Sequence, residues 1–118
     1  MNFLVMGSGA REHIIGEKLS QSGATVFSII TNSNPGLISI SEKTLPVNNF
    51  VNEQKKIIAF SVENRIDCVV IGPEDPLAHG FSDLFWKKGF PVVGPLRILA
   101  QIETSKGFTR DLLTKYNI

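Results

Sequence analysis

Four apolar residues, Phe3-Leu4-Val5-Met6, run into Gly7-Ser8-Gly9 and then into the charged cluster Arg11-Glu12-His13. An apolar run this short, closed by glycine, predicts a strand covered on both faces. Gly7 and Gly9 lack the Cβ atoms that would keep the backbone from turning sharply and lying close to an anion. The helix predicted next would aim its unpaired N–H groups at whatever sits beyond the strand end, a layout suited to phosphate.

That opening unit is the first of a series. Residues 11–21 predict a helix with Ile15 and Leu19 on one inward stripe, closed by Gly23. A strand is predicted over 26–30, a loop over 31–36 (TNSNPG), and a short strand over 43–47 closed by Pro46. Asn48 and Asn49 offer caps for a helix over 51–64 that would turn Val51, Ile58 and Val62 to one side. The strongest strand, 68–71, ends at Gly72-Pro73; a helix over 81–88 and a strand over 91–93 follow. Two more helices are predicted over 96–102 and 106–116, with Ser105 capping the second. Strand and helix thus alternate, which predicts an α/β fold: a doubly wound, mainly parallel sheet with helices on both faces. Ligands of such sheets bind beyond the carboxyl ends of the strands, so the segments that matter are 7–12, 31–36, 72–80 and 94–95.

Composition narrows the function classes. With 118 residues the chain holds one domain, and with 12 basic and 11 acidic residues it lacks the field expected of nucleic-acid or anionic-membrane binders. Charge recognition must then be local. The single cysteine, Cys68, lies in the apolar run CVVIG and reads as a buried, inert thiol rather than a nucleophile. No apolar stretch approaches the roughly 18 residues of a membrane span, and the first residues lack the pattern of a signal peptide. The expectation is a cytoplasmic protein.

A strand followed by G-x-G first suggests a dinucleotide fingerprint, G-x-G-x-x-G, with an acid about 20 residues later for the ribose. Both tests fail: the sixth position is Glu12, and the second strand ends at Ile30-Thr31-Asn32 without a carboxylate. Arg11 opposes the helix dipole at this end of the helix, which is explained if it closes over a bound anion; the alternative is a solvated or locally paired side chain. His13 reads as a packing or hydrogen-bonding residue before it reads as an acid–base group. In GPEDPLAHG (72–80), Pro73 and Pro76 stiffen a loop that holds Glu74 and Asp75 at the end of the strongest strand. A rigid carboxylate there suits the vicinal hydroxyls of a sugar, or an amine; its plainer role is helix capping. His79 reads as solvent-facing. Adjacent acids diverge and no histidine pair has ligand spacing, so no metal site is expected. GPLRILAQIETSKGFTRDLL (94–113) reads, by periodicity, as two amphipathic helices.

In this order, GSGAREH, GPEDPL and GPLRILAQIETSKGF resemble the N-terminal domain of phosphoribosylamine-glycine ligase over essentially the whole chain. G-x-G-x-R-E-H is met by Gly7, Gly9, Arg11, Glu12 and His13; G-P-E-x-P-L by Gly72, Pro73, Glu74, Pro76 and Leu77. G-P-x4-A-x2-E-x-S-K-x-F is met by Gly94, Pro95, Ala100, Glu103, Ser105, Lys106 and Phe108. Two departures stand out: Asn34-Pro35-Gly36 where many members read P-G-N, and Arg110 where lysine is frequent.

The resemblance implies a Rossmann-like domain over 1–104 that binds the phosphoribosyl substrate, with 105–118 opening an ATP-grasp region. It implies an enzyme that joins 5-phosphoribosylamine to glycine in purine synthesis, with ATP and magnesium, to give glycinamide ribonucleotide. The substrate-binding set it implies is Gly7, Ser8, Gly9, Ala10, Arg11, Glu12, Asn34, Gly36, Gly72, Pro73, Glu74 and Pro76, with Lys106 helping to place ATP in the intact enzyme. Glycine, ATP and magnesium would be held by ATP-grasp domains that lie beyond these residues. On this reading the chain has no catalytic residue or cofactor of its own and does not ligate alone. The alternative is a stand-alone, non-catalytic phosphate- or nucleotide-binding module.

Overall fold

The computed structural model describes residues 1–50, 52–71 and 78–94, except for the side chains of 78 and 79. Among these, five strands alternate with four helices: β1 (Asn2–Met6), α1 (Ala10–Gln21), β2 (Thr25–Ile30), α2 (Pro35–Ile40), β3 (Ser41–Pro46), α3 (Gln54–Glu63), β4 (Cys68–Ile71), α4 (Ala78–Lys87) and β5 (Val92–Val93). The strands form one all-parallel sheet in the order β3-β2-β1-β4-β5. The expected doubly wound α/β architecture is present. The helices expected over 96–102 and 106–116 lie outside the described residues.

Period-two alternation assigns each strand residue to a face. Phe3 and Val5 of β1 join Val26, Cys68, Val70 and Val93 against Ile15 and Leu19 of α1. Leu4 and Met6 turn the other way, with Phe27, Ile29, Val69 and Ile71, against Ile57 of α3 and Phe81 and Phe85 of α4. β1 and β4 are apolar on both faces because both faces are covered. Cys68 is fully buried, and burial pushes its thiol pKa up to about 12, which agrees with an inert thiol.

Polar groups inside this frame are satisfied. Ser28 of β2, fully buried, shares hydrogen bonds of 2.9 Å with the hydroxyls of Ser41 and Thr44 in β3, and Ser61 donates to the Ile57 carbonyl at 2.8 Å.

Three local expectations are corrected. The segment 31–36 is a loop only as far as Asn34, for Pro35 and Gly36 open α2. Asn34 caps that helix by accepting from the Leu37 N–H at 3.1 Å, and Pro35 stands where a missing N–H costs nothing. On α3, Ile57 and Ser61 are the buried residues, Ile58 packs half-buried against the core as expected, and Val62 is 62% exposed, while Val51 lies outside the described residues. Ile57 and Val62 both continue a helical stripe, and packing against the sheet selects the first. Neither Asn48 nor Asn49 caps the first turn of α3, although Asn49 Oδ1 accepts from the Asn52 N–H at 3.3 Å in the turn that leads into the helix. Instead their N–H groups donate to the Glu53 carboxylate at 2.6 and 3.1 Å, and the bonds from Asn49 and then Asn48 hold that carboxyl below its ordinary pKa.

Candidate ligand site at the carboxyl edge

Met6 pairs with Ile29 of β2 on one side and Ile71 of β4 on the other, so three strands end level around the β1–α1 turn. Strand order reverses between β1 and β4, and open parallel sheets take ligands in the crevice there. The segments 7–9 and 31–34 leave from these strand ends, and residue 72 follows the end of β4.

The turn is built by Gly7, which sits at φ +131° and donates its N–H to the Ile29 carbonyl at 3.0 Å. A non-glycine residue is strained at that φ. Ser8 reaches across to β2: its Oγ accepts from the N–H groups of Thr31 at 3.0 Å and Asn32 at 3.1 Å. Asn34 reaches back, donating from Nδ2 to the carbonyls of Ser8 at 3.0 Å and Gly9 at 3.1 Å. Together with its cap bond to Leu37, this employs both ends of the Asn34 amide. Two side chains therefore clamp the first two loops into one rim. Gly9, Ala10 and Arg11 lie exposed on it, and Glu12 is half-buried behind them.

Glu12 is folded over the turn. A Cβ built on Gly7 would overlap Glu12 Oε1, and one on Gly9 would lie 2.9 Å from Oε2, so the carboxylate fills the space both glycines leave. His13 lies on the other side, against Gly36, where an added Cβ would overlap its ring; its Nε2 is 3.8 Å from Glu17 Oε2. His13 is thus a packing residue between α1 and α2. Gly72, Pro73, Glu74, Pro76 and His79, with Lys106, belong to the parts that are not described or whose side chains are not. Among the described residues no group of three His, Cys, Asp or Glu side chains is placed to hold a metal ion, and no helix is long and apolar enough to cross a membrane.

Sequence reasoning placed Ser8, Glu12 and Asn34 at the site but not what they do there. The Asn34-Pro35 pair, a cap followed by a first-turn proline, was the available signal for α2 and its rim position. Glu12 at the place of the third fingerprint glycine was the signal for a filled turn.

The family model described as phosphoribosylglycinamide synthetase, N domain, matches residues 1–103. The chain belongs to this family. Relatives named phosphoribosylamine–glycine ligase match along the whole chain: 44% identical in Methanosphaera stadtmanae, and 41% in both Methanococcus vannielii and Brucella melitensis. The chain spans about a quarter of their length, 26%, 26% and 27% respectively. Among solved structures, N5-carboxyaminoimidazole ribonucleotide synthetase from Thermotoga maritima aligns over 97% of this chain and 30% of its own, with a TM-score of 0.60 at 13% identity. The structure of glycinamide-RNase-transformylase T from Mycobacterium tuberculosis aligns over 98% of this chain and 31% of its own, with a TM-score of 0.54 at 13% identity. At that identity the likeness is one of fold.

Proposed function

We propose that this chain is the phosphoribosyl-binding N domain of an ATP-dependent ligase of purine biosynthesis, one that joins 5-phosphoribosylamine to glycine and gives glycinamide ribonucleotide. The observation that carries the reading is the match to ligases of that name along the whole chain, at up to 44% identity, together with the N-domain family model. Residues 1–104 form the substrate-binding domain and 105–118 lead into the ATP-grasp region. The N domain recognises substrate and does not ligate alone; the remaining three quarters of the enzyme hold glycine, ATP and magnesium. When bound there, ATP supplies the phosphoryl group that activates glycine's carboxylate.

The rim supports a division of labour within the domain. Gly9, Ala10 and Arg11 are exposed at its lip and grip the ligand; Gly7, Ser8, Asn34 and Gly36 hold that lip in place. Gly72, Pro73 and Pro76 shape the loop after β4, Glu74 takes ribose hydroxyls or orients the amine, and Lys106 helps place nucleotide in the full-length enzyme. The setting is cytoplasmic, and neither nucleic acid nor membrane is a partner.

Titrating glycinamide ribonucleotide into the isotope-labelled chain tests this. Saturable amide shifts at Gly9, Arg11 and Glu74 are expected, absent with NAD and weakened about tenfold or more by Arg11→Ala or Glu74→Ala. Equal shifts with NAD, or indifference to Glu74→Ala, would instead favour a general nucleotide-binding module, the reading that the strand order β3-β2-β1-β4-β5 also allows.

A further inference from the structure

In a dinucleotide-binding turn the second glycine of G-x-G-x-x-G lets the backbone approach a pyrophosphate, and the third lets helix and strand pack closely. Here the first two glycines are kept, as Gly7 and Gly9, and the third position is Glu12. Its carboxylate lies across both glycines, in the space where a diphosphate would need to sit. A second anion is excluded from that space by volume and by like-charge repulsion. The carboxylate is half-buried, and among the described residues neither a hydrogen bond nor an ion pair employs it. Beside it, the Ser8 hydroxyl accepts two hydrogen bonds from the β2 loop, which leaves its own proton to donate.

We propose that Glu12 sets the ligand specificity of this turn: it keeps diphosphate out and makes the turn an acceptor for the amino or hydroxyl hydrogens of a phosphoribosyl ligand. The second half rests on the function proposed above; the first stands on the geometry of Glu12 alone. The ligand's phosphate is then held elsewhere on the rim, away from the backbone of Gly7 and Gly9.

Glu12→Gly restores the full G-x-G-x-x-G spacing, and Glu12→Gln keeps the side-chain volume without the charge. Both are compared with the unaltered chain by amide shifts and calorimetry, using inorganic pyrophosphate and glycinamide ribonucleotide as separate probes. The unaltered chain is expected to show no shifts at residues 7–12 with millimolar pyrophosphate. Glu12→Gly gains pyrophosphate binding at Gly9 and Ala10 by about tenfold or more, and Glu12→Gln gains part of it. Glycinamide ribonucleotide binding falls about tenfold in Glu12→Gln. Pyrophosphate binding at the turn of the unaltered chain that is as tight as in both variants would overturn the exclusion, and unchanged glycinamide ribonucleotide affinity in Glu12→Gln would overturn the acceptor role. If the unaltered chain ignores glycinamide ribonucleotide altogether, the phosphoribosyl reading fails while the pyrophosphate contrast still decides the role of Glu12 in exclusion. Should Glu12→Gly fail to fold by circular dichroism, Glu12→Gln decides it.

Discussion

The sheet's α3–α4 face and its carboxyl rim are held together by opposite means. Under α3 and α4, Phe81, Phe85 and Phe90 follow one another at ring-centroid spacings of 6.3 and 5.9 Å, over Leu4, Met6, Val69 and Ile71. Each of these side chains has many apolar neighbours, so none is bound to a single partner. At the rim, Ser8 and Asn34 each make directed bonds to named backbone groups of another segment. The difference separates stability from placement. The apolar face carries the free energy of folding, and the rim converts a little of it into the position of a few exposed groups.

The largest expected effect is on the apolar side. Phe85 is fully buried, and Phe85→Ala is expected to cost about 3–5 kcal/mol in urea unfolding, as large aromatic deletions do. The rim hydrogen bonds are expected to survive in the folded fraction. Loss of slow exchange at the Thr31 and Asn32 amides under native conditions would break the separation between the two regions.

Cys68 supplies a pH test of the other face. Because burial raises its pKa from 9.0 to about 12, the unfolded chain releases the thiol proton first as pH rises. The contribution is complete below about pH 9 and is lost between 9 and 12, at about 1.4 kcal/mol per pH unit. Cys68→Ala removes this slope from the pH dependence of unfolding; an identical slope in that variant would assign it to another group. Alkylation of the native chain at neutral pH is expected to be slow and to proceed only through unfolding.

Smaller effects mark the rim. Asn34→Ala loses the α2 cap and both loop bonds, with a cost of about 1–2 kcal/mol. Asn34→Asp keeps the cap acceptor and loses the two donated bonds, so amide exchange at Leu37 stays slow in Asp and speeds up in Ala. Ser8→Ala is expected to cost about 1 kcal/mol and to free the Thr31 and Asn32 amides. A rim variant that lowers ligand affinity far more than stability sharpens the contrast; one that lowers both equally removes it.

How much of this was legible in the residues depends on distance along the chain. β1 and β4 are uninterrupted apolar runs, and Ile15 and Leu19 are four apart, so local pattern sufficed for them. α2 was hidden because TNSNPG has loop composition and the helix after it is only six residues long. The face of α3 was displaced because Ile57, Ile58 and Val62 are all apolar, and only the sheet below decides which turns inward. At the site, the glycines and Arg11 follow from local chemistry. The bond from Thr31 to Ser8 spans 23 residues and that from Asn34 to Ser8 spans 26, and no local pattern encodes such a pair. Glu12 could be seen to break the fingerprint, but its place across Gly7 and Gly9 emerges only once the turn is formed.

The position of β1 at the centre of the sheet has a consequence for synthesis. Phe3 finds Val26 early, but its partner on the other side, Cys68, lies 65 residues away. At translation rates of about 5–20 residues per second the interval is roughly 3–13 s. During it this apolar strand presents an unpaired edge beside the ribosome, where other nascent chains can pair with it. Slower translation of the segment up to Ile71 lengthens that exposure, so the yield of folded protein should depend on the speed of the ribosome before β4 more than after it.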